Sequence, residues 1–515
     1  MKIPKHIIIL GGGTAGWMAA NLMANQWIKL GFKITLVEST KIGTVGVGEG
    51  STPYLKELFQ TLNIPENVWM SACNATYKCG IRFPDWSTIN QQSSYFHPFY
   101  SDIDSEQAQI FFQQCNEKRV GKSAFTNPDD YFVTSALANS QKAPKSPVDL
   151  DDNLTYGYHF DAELLGEFLK QHALKLGVIH INDSVINTIT DRTGDIAILQ
   201  THQHGAIRGD FFIDCSGFKG VLIQQVLGES LISCKDHLYN DSAVAIPTLH
   251  DDLNVMPCET VSKALKYGWV WHIPLINRIG NGYVYSSDYI NKEQAEQELR
   301  ELLGDKAKGQ PARHLHWQPG RIEQHWKNNC VAIGLSQGFL EPLEAPMLHI
   351  VQRSIEEFIE QFQNGGFTNS YRQKFNDKIN NIIDGTRDYL QTHYKINTRK
   401  DTQYWIDNRH NPNTSSVLSE LLDGWRSDGN FDQIIHKNMP NLAYLKTSWY
   451  CILAGKGYFS ENETNQQSAC NVVNSNREMK YQCQKKAESF PDHRQYLTTL
   501  FTSDSASLLK DNYKK

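Results

Sequence analysis

Apolar runs and a glycine-rich turn alternate along the first forty residues of the chain. Residues 7–10 are uniformly apolar, which is typical of a parallel strand buried on both faces. A glycine-rich turn over residues 11–16 follows at once, and residues 17–27 are rich in Ala, Met and Leu, which favours a helix. A second apolar run over residues 34–37 ends at Glu38. The pattern therefore predicts a β-α-β unit.

Further strands and a helix extend this arrangement. The apolar stretches 211–215 and 330–333 lead into Gly217 and Gly334, so each predicts a buried strand followed by a tight turn. An amphipathic stretch begins after Asp161, a residue that favours the N-cap of a helix. Together these elements predict an α/β fold with a Rossmann-type core.

Three regions differ from this core. Residues 84–150 are polar, aromatic and rich in turn residues, and we interpret them as an insertion that carries part of a substrate site. The chain after about residue 350 is predicted to be mainly helical. Residues 459–490 are rich in Asn, Gln, Ser and Lys, which predicts an exposed excursion.

Composition excludes several classes of function. The chain has 515 residues and a formal net charge of −6, which argues against nucleic acid or an anionic membrane as the main partner. It has no apolar run of membrane-spanning length, and the N-terminal residues lack the pattern of a signal peptide, so we expect a cytoplasmic protein. The cysteines show no metal-ligand spacing, and no metal site is predicted.

The turn carries a Gly-x-Gly-x-x-Gly fingerprint. Gly11 permits the tight turn, Gly13 lets the backbone approach a pyrophosphate, and Gly16 lets helix and strand pack closely. Thr14 and Ala15 lie where the first helical amides would face the phosphates. Glu38 follows at the distance expected of an acid that binds ribose hydroxyls. We therefore predict a dinucleotide site; the alternative is a tight turn without a ligand.

One further motif suggests a family. The segment Trp269-Val-Trp271-His-Ile273-Pro274 matches the W-x-W-x-I-P signature of flavin-dependent halogenases, and the resemblance extends over roughly residues 5–455. Two tryptophans at i and i+2 of a strand share one face. In this family such residues form a wall between the flavin and the substrate, and we call these four residues the tryptophan wall.

The resemblance implies a flavin site. Residues 211–217 and Gly334 resemble the second and third FAD-contact elements of the flavoprotein monooxygenase superfamily, although the third lacks its usual aspartate. The loop over residues 42–53 resembles a flavin-covering loop, with Val47 and Gly48 as expected cofactor contacts. The implied co-reactants are reduced FAD, O2 and a halide. A second fingerprint for NAD(P)H is not evident, so we expect a separate flavin reductase to supply the reduced FAD.

Domain boundaries follow from the same resemblance. The FAD-binding core is predicted to be discontinuous, with the substrate side formed by two insertions or sheets and the remainder by a helical region. These predicted units are 1–83, 151–240 and 310–350 for the core, 84–150 and 241–309 for the substrate side, and 351–515 for the mainly helical C-terminal region.

The resemblance also implies two catalytic residues. Hypohalous acid formed beside the flavin would move past the wall to Lys78, which would either hydrogen-bond it or form a haloamine. Glu344 would polarise the acid or accept the ring proton, with Glu341 as the competing carboxylate. Leu343 is expected to contact the flavin.

The segment after Glu344 departs from the family. Chloride-using members continue with Ser-Thr-Gly, whose last two amides hold the halide, whereas this chain has Ala345, Pro346 and Met347. Proline has no N–H, so Pro346 would remove one of two donors to the halide. Because chloride is the more strongly hydrated ion, we expect a preference for bromide or iodide.

The substrate is predicted less closely. His97 and Phe99 resemble a His and a Phe that lie near the indole in tryptophan halogenases, and Trp449 matches a family stretch near the substrate. Each is also compatible with ordinary packing. We expect an electron-rich, indole-like ring, with free L-tryptophan as second choice. The alternatives are an FAD-dependent aromatic hydroxylase and a non-catalytic flavin-binding protein.

Overall fold

Strands and helices alternate through the first two-thirds of the chain, and helices follow. The computed structural model describes residues 5–40, 49–88, 94–145, 154–460 and 469–502. The strands are β1 (His6–Leu10), β2 (Lys33–Glu38), β3 (Glu49–Gly50), β4 (Thr76–Lys78), β5 (Gly80–Pro84), β6 (Ser94–Pro98), β7 (Gly157–Phe160), β8 (Ile179–Asn182), β9 (Val185–Thr190), β10 (Ile196–Thr201), β11 (Ala206–Arg208), β12 (Phe211–Asp214), β13 (Leu231–Ser233), β14 (Ser242–Thr248), β15 (Glu259–Ala264), β16 (Gly268–Pro274), β17 (Ile279–Tyr285), β18 (Arg313–His316), β19 (Gly320–Ile322), β20 (Trp326–Lys327), β21 (Cys330–Ala332) and β22 (Gly338–Phe339).

Helices flank the sheets and form most of the C-terminal third. The α-helices are α1 (Thr14–Trp27), α2 (Leu55–Thr61), α3 (Glu66–Ala72), α4 (Ser105–Arg119), α5 (Val133–Asn139), α6 (Ala162–Lys175), α7 (Lys292–Leu303), α8 (Met347–Asn364), α9 (Arg372–Lys395), α10 (Gln403–His410), α11 (Ser416–Arg426), α12 (Phe431–Asn438), α13 (Lys446–Gly455), α14 (Ala469–Glu488) and α15 (His493–Thr502). Among the described residues, no helix is long and apolar enough to span a bilayer.

The predicted β-α-β unit lies at the centre of a six-stranded sheet. The strand order is β20-β21-β12-β1-β2-β8, and β1 pairs in parallel with both β2 and β12. The parallel strands are joined by crossovers, and α1 packs against α6 on the sheet. The predicted strands 7–10, 34–37, 211–215 and 330–333 all belong to this sheet, within one residue at either end.

A seven-stranded sheet carries the tryptophan wall. Its order is β18-β14-β17-β16-β15-β5-β6, with antiparallel pairs except where β15 runs parallel to β5. The wall occupies β16, and Gly282 on β17 leaves room for the Trp271 ring, which a Cβ at that position would overlap. The region predicted as a turn-rich insertion contributes β6 to this sheet and also contains α4 and α5.

A small sheet joins the two large ones. Strands β3 and β4 both pair with β7 in an antiparallel arrangement. Strand β3 lies within the predicted flavin loop, residues 42–53, of which residues 42–48, with Val47 and Gly48, lie outside the described residues. Strand β4 ends at Lys78, so this sheet connects the loop to the predicted catalytic lysine.

The segment predicted to contain an exposed excursion, residues 459–490, includes a helix. Residues 469–488 form α14, which packs against α5 and buries Cys483 and Ala487 in a shared apolar cluster. A helix needs only one apolar stripe to dock, whatever the rest of its surface.

Two glycines of the fingerprint differ in the space around them. A Cβ at Gly16 would overlap the carbonyl oxygen of Gly11, whereas a Cβ at Gly13 has nothing within 4 Å. Gly13 also has a φ of −73°, which alanine adopts readily. We therefore expect Gly16→Ala to lower the free energy of unfolding by about 1–3 kcal/mol, as other overpacked sites do.

Gly13→Ala is the matched control. Denaturant unfolding of the two variants measures the difference, and Gly13→Ala should unfold with wild-type stability. Equal stability of both variants would contradict the close packing of the turn.

Candidate active site

Lys78 is a fully buried lysine at the end of β4. Its ammonium nitrogen donates to the carbonyl oxygen of Ser51 at 3.1 Å and lies 5.4 Å from the centre of the Phe99 ring. Burial lowers the pKa of Lys78 to about 7, and the negative charge of Glu344 partly opposes this shift. Near neutral pH both the ammonium and the free amine are therefore populated, which suits a group that handles protons.

Glycines on the neighbouring strands make room for this lysine. A Cβ at Gly50 would lie 3.3 Å from the Lys78 nitrogen. A Cβ at Gly157, the residue paired with Lys78, would lie 2.7 Å from the Ser51 oxygen and 3.3 Å from the Phe99 ring. Gly157 therefore needs a residue without a side chain, and a Cβ at Gly50 would be in tight contact with the lysine.

Glu344 is a buried carboxylate held by two histidines. The Nδ1 atom of His97 lies 2.9 Å from both carboxylate oxygens, and the Nε2 atom of His393 lies 3.0 Å from one of them. Only 2% of the Glu344 side chain is exposed. We call this arrangement the histidine clamp.

The clamp fixes the charge of the carboxylate. Burial alone would raise the pKa of Glu344, but the interactions with His97 and His393 outweigh it and hold the pKa below its usual range. Burial lowers the pKa of His393 to about 3, so this ring is neutral and donates its Nε2 proton to the carboxylate. Glu344 is thus an ionised acceptor in the protein interior.

The backbone at the clamp adopts an unusual conformation. Glu344 and Ala345 both have positive φ, 68° and 55°, although neither is glycine. The amide of Ala345 donates to the carbonyl oxygen of Pro342, and helix α8 begins directly after Pro346. Such strain is typical of functional segments held in place by their surroundings.

The tryptophan wall contacts the lysine strand through a hydrogen-bond chain. The rings of Trp269 and Trp271 share one face, with centroids 6.3 Å apart. At the end of the wall, the carbonyl oxygen of Pro274 accepts a hydrogen bond from the Thr76 hydroxyl at 2.7 Å. Ile273 is buried beside it. Since Thr76 and Lys78 are alternate residues of β4, their side chains lie on the same face of that strand, the face on which Thr76 meets Pro274.

A buried histidine extends this chain. His159 on β7 lies 3.1 Å from the Thr76 hydroxyl through Nδ1 and 2.9 Å from the Thr260 hydroxyl through Nε2. The Thr76 hydroxyl donates to Pro274, so it accepts the Nδ1 proton of His159. The ring is neutral, since burial lowers its pKa well below the usual value.

Glu341 occupies a different position from Glu344. Its carboxylate accepts hydrogen bonds from Tyr394 at 2.6 Å and Asn240 at 2.8 Å, and the Trp269 indole nitrogen lies 3.5 Å away. Burial raises its pKa to about 7. The two carboxylates are therefore held by separate partners, and Glu341 supports the wall.

The glycine turn has the shape required to cradle a dinucleotide. Open space lies above Gly13, and Gly334, with φ of 80°, packs against Ala15 at the start of α1. Glu38 lies over Gly12, with one carboxylate oxygen 3.1 Å from Lys170. These residues fit the pyrophosphate and ribose of FAD. Leu343 is fully buried in the main core.

The aromatic substrate residues fall into two groups. His97 belongs to the histidine clamp, and Phe99 adjoins Lys78. Trp449 is fully buried on α13 and contacts Tyr389 edge-on at 5.1 Å. Tyr389 in turn stacks on Tyr444 at 3.7 Å and lies 6.0 Å from His97, so it connects the two groups.

Sequence reasoning missed His393, Tyr389 and Tyr444. His393 and Tyr389 are four residues apart on α9, a spacing that places both on one helix face. This pairing of a histidine with a tyrosine is the sequence feature that could have indicated their place in the site. Within the described ranges, no group of three or more His, Cys, Asp or Glu residues is arranged to hold a metal ion.

Comparison with known proteins identifies the family. A family model described as tryptophan halogenase matches residues 6–471. The tryptophan 6-halogenase SttH of Streptomyces toxytricini is 38% identical over 450 residues, 82% of this chain and 84% of that protein. The tryptophan 7-halogenase RebH of Lentzea aerocolonigenes is 33% identical over 487 residues, 88% of this chain and 90% of that protein. The structure of a flavin-dependent halogenase from Xanthomonas campestris matches with a TM-score of 0.83 and 30% identity, over 97% of this chain and 99% of that one.

The fold, the site and these likenesses define a flavin-dependent halogenase, an oxidoreductase. Within that class, the chain belongs to the tryptophan halogenase family. Flavin-dependent halogenases use reduced FAD, O2 and a halide. The predicted α/β fold, with a Rossmann-type FAD-binding core and a mainly helical C-terminal part, is confirmed.

The histidine clamp should contribute to the free energy of unfolding. His393→Leu leaves a buried charge with one donor fewer, so we expect a loss of about 1–3 kcal/mol in the free energy of unfolding at pH 7. The loss should shrink as the pH falls. The pKa of His393 is about 3 in the folded protein but about 6.5 in an unfolded chain, so between these values only the unfolded wild type binds the proton.

Denaturant unfolding between pH 7 and pH 5 measures this gap. The exposed His202 provides the matched control, and His202→Leu should differ little from the wild type at either pH. A gap that widens on acidification would show that His393 does not bind Glu344 as a neutral donor.

Proposed function

We propose that the protein halogenates an electron-rich, indole-like aromatic ring, using reduced FAD, O2 and a halide. The observation that carries this proposal is the buried pair of Lys78, with a pKa near 7, and Glu344, held ionised by two histidines. A proton donor and a proton acceptor then face one interior region beside the tryptophan wall. Free L-tryptophan is the second choice of substrate, because relatives such as SttH and RebH are named for tryptophan.

The cofactor would lie along the glycine turn. When bound, reduced FAD would supply two of the four electrons that reduce O2 and the halide the other two, so that halide, O2 and a proton would yield hypohalous acid and water. The residues that would hold it are Gly11, Gly13, Thr14, Ala15, Gly16, Glu38, Val47, Gly48, Gly334 and Leu343. We infer that a separate flavin reductase supplies the reduced form, since the sequence shows no second nucleotide fingerprint.

The transfer step uses the two catalytic residues. The ring attacks the halogen of hypohalous acid, the halogen–oxygen bond breaks, and the departing hydroxide takes a proton to leave as water. The Lys78 ammonium is placed to give that proton or to hydrogen-bond the acid, and its neutral amine can instead form a haloamine. The proton lost from the ring passes to the Glu344 carboxylate, which its ionised state permits.

The wall and the aromatic residues have positioning roles in this proposal. Trp269, Trp271, Ile273 and Pro274 separate the flavin from the ring, so the oxidant travels to Lys78 instead of the ring meeting the flavin. Phe99, beside Lys78, offers an aromatic face for the substrate. His97 and Trp449 adjoin the same region through Glu344 and Tyr389.

The decisive assay supplies a flavin reductase, NADH, FAD, O2, bromide and a panel of indoles. We expect a brominated product by mass spectrometry that disappears in Lys78→Ala, while FAD binding survives, because the lysine lies outside the glycine turn. Lys292→Ala, a change at an exposed lysine, should retain wild-type activity.

The alternatives give different results in this assay. An aromatic hydroxylase would add oxygen without bromide, and a non-catalytic flavin protein would bind FAD and give no product with any substrate. Either outcome would refute the proposal.

The halide preference depends on the start of α8. The first amides of a helix have no intrahelical partner, so those of Met347 and the next residues face outwards from its N-terminus. Pro346, directly before them, contributes none. A hydrogen bond to a charged partner is worth about 1.5–3 kcal/mol, and its loss should weaken the binding of chloride, the more strongly hydrated ion, more than that of bromide or iodide. We therefore expect bromide or iodide to outcompete chloride.

Competition between equimolar chloride and bromide, read by product mass, measures this preference. Pro346→Ala restores an amide and should raise the chlorinated fraction, whereas Ala345→Ser adds a hydroxyl but no amide and should not. Dominant chlorination by the wild type would contradict the predicted halide preference.

A further inference from the structure

The C-terminal helices reach the strand that carries Lys78. His493, the first residue of α15, is fully buried. Its Nε2 atom accepts a hydrogen bond from the backbone amide of Tyr77 at 3.2 Å. Its Nδ1 atom lies 2.9 Å from the carbonyl oxygen of Met256, to which it donates. One ring thus joins the residue next to Lys78 to the segment that precedes β15.

This contact gives a hydrogen-bond acceptor to a backbone amide of an edge strand. Strand β4 pairs with β7 on one side only, so an outward-facing amide of β4 has no strand partner. A buried amide without an acceptor is costly, and the His493 ring provides the acceptor. Because Nε2 accepts, the ring must be the neutral form with its proton on Nδ1. Burial also lowers the pKa of His493 to about 4, which agrees with that form.

Backbone hydrogen bonds fix the position of His493. Its own amide donates to the carbonyl oxygen of Gln141 at 2.9 Å, and the amide of Ala143 donates to that of Pro491 at 2.9 Å. Helix α14, which leads into this segment, packs against α5. The C-terminal segment around His493 is therefore bound to the insertion of residues 84–150, which also supplies Phe99 to the site.

The contact lies beyond the residues that the family model matches. That match ends at residue 471, and His493 follows it. The catalytic lysine is inside the matched region, whereas the group that completes the hydrogen bonding of its strand is outside it.

We propose that His493 is a positioning residue for Lys78, through which the C-terminal segment sets the place of strand β4. Lys78 has a single described hydrogen-bond acceptor, the Ser51 carbonyl, so its ammonium depends on the strand for its position. A shift of about an ångström in a reacting group can lower a rate by two orders of magnitude. This inference rests on the proposed function, because it concerns delivery of the halogen to the ring.

Two substitutions separate positioning from folding. His493→Leu removes both hydrogen bonds. His493→Gln can keep them, because an amide side chain carries both an acceptor oxygen and a donor NH2 group. Thr498→Ala, on the exposed side of the same helix, is the control.

Two activities are measured under the same conditions with reductase, NADH, FAD, O2 and bromide. One is the brominated indole formed, and the other is free hypobromous acid caught by a soluble thiol. In His493→Leu we expect the kcat for indole bromination to fall about tenfold or more, with KM for the indole little changed and more acid trapped. His493→Gln should recover most of the activity, and Thr498→Ala should match the wild type.

Hydrogen exchange of the peptide that contains β4 provides an independent readout. Exchange should accelerate in His493→Leu but not in His493→Gln. Wild-type bromination and exchange in His493→Leu would overturn the inference and leave the proposed function intact. Equal losses in Leu and Gln variants, with less acid trapped, would reveal a merely structural role. A wild type that forms no brominated product refutes the proposed function itself, and the inference with it.

Discussion

The burial of a lysine and a glutamate in one interior region is the constraint on which the site depends. Moving a charged group out of water is costly unless the group gains polar partners, and the two residues differ in the partners they have. Lys78 has one carbonyl acceptor and an aromatic face, so its ammonium is only marginally stable and its pKa falls to about 7. Glu344 has two imidazole donors, so it stays ionised. The difference between the two surroundings gives one group that readily releases a proton and one that accepts it.

The strands and turns around this pair are arranged to hold it. Gly50 and Gly157 leave space for the lysine, and Thr76 ties its strand to the wall through Pro274. His159 carries the same connection on to Thr260 in β15. The strand of the lysine and the end of the wall therefore belong to one hydrogen-bonded unit. Rigid support of this kind keeps a reacting group within the narrow range that catalysis requires.

Local patterns in the sequence predicted the elements well, but not the contacts between them. The first β-α-β unit was readable because an apolar run, a glycine turn and a helix former each act within a few residues. Lys78 and Glu344 were found only through motifs shared with a family. The partners of Glu344 were harder to find, since His97 lies 247 residues away and His393 lies 49 away. No local propensity encodes which histidine meets which carboxylate, and the same holds for His493 and the strand of Lys78.

The segment from Glu344 to Pro346 shows why a local rule fails at such a site. Two consecutive non-glycine residues have positive φ, and the second precedes a proline, which itself favours an extended conformation in its neighbour. Sequence preference and observed geometry disagree, so the geometry must be imposed from outside. The buried Leu343 on one side and α8 on the other supply that constraint, and the histidine clamp adds a third. Conflict between local preference and fold is expected where function sets the conformation. The proline restricts the backbone next to the glutamate, and in the halide site proposed above it would contribute no amide donor.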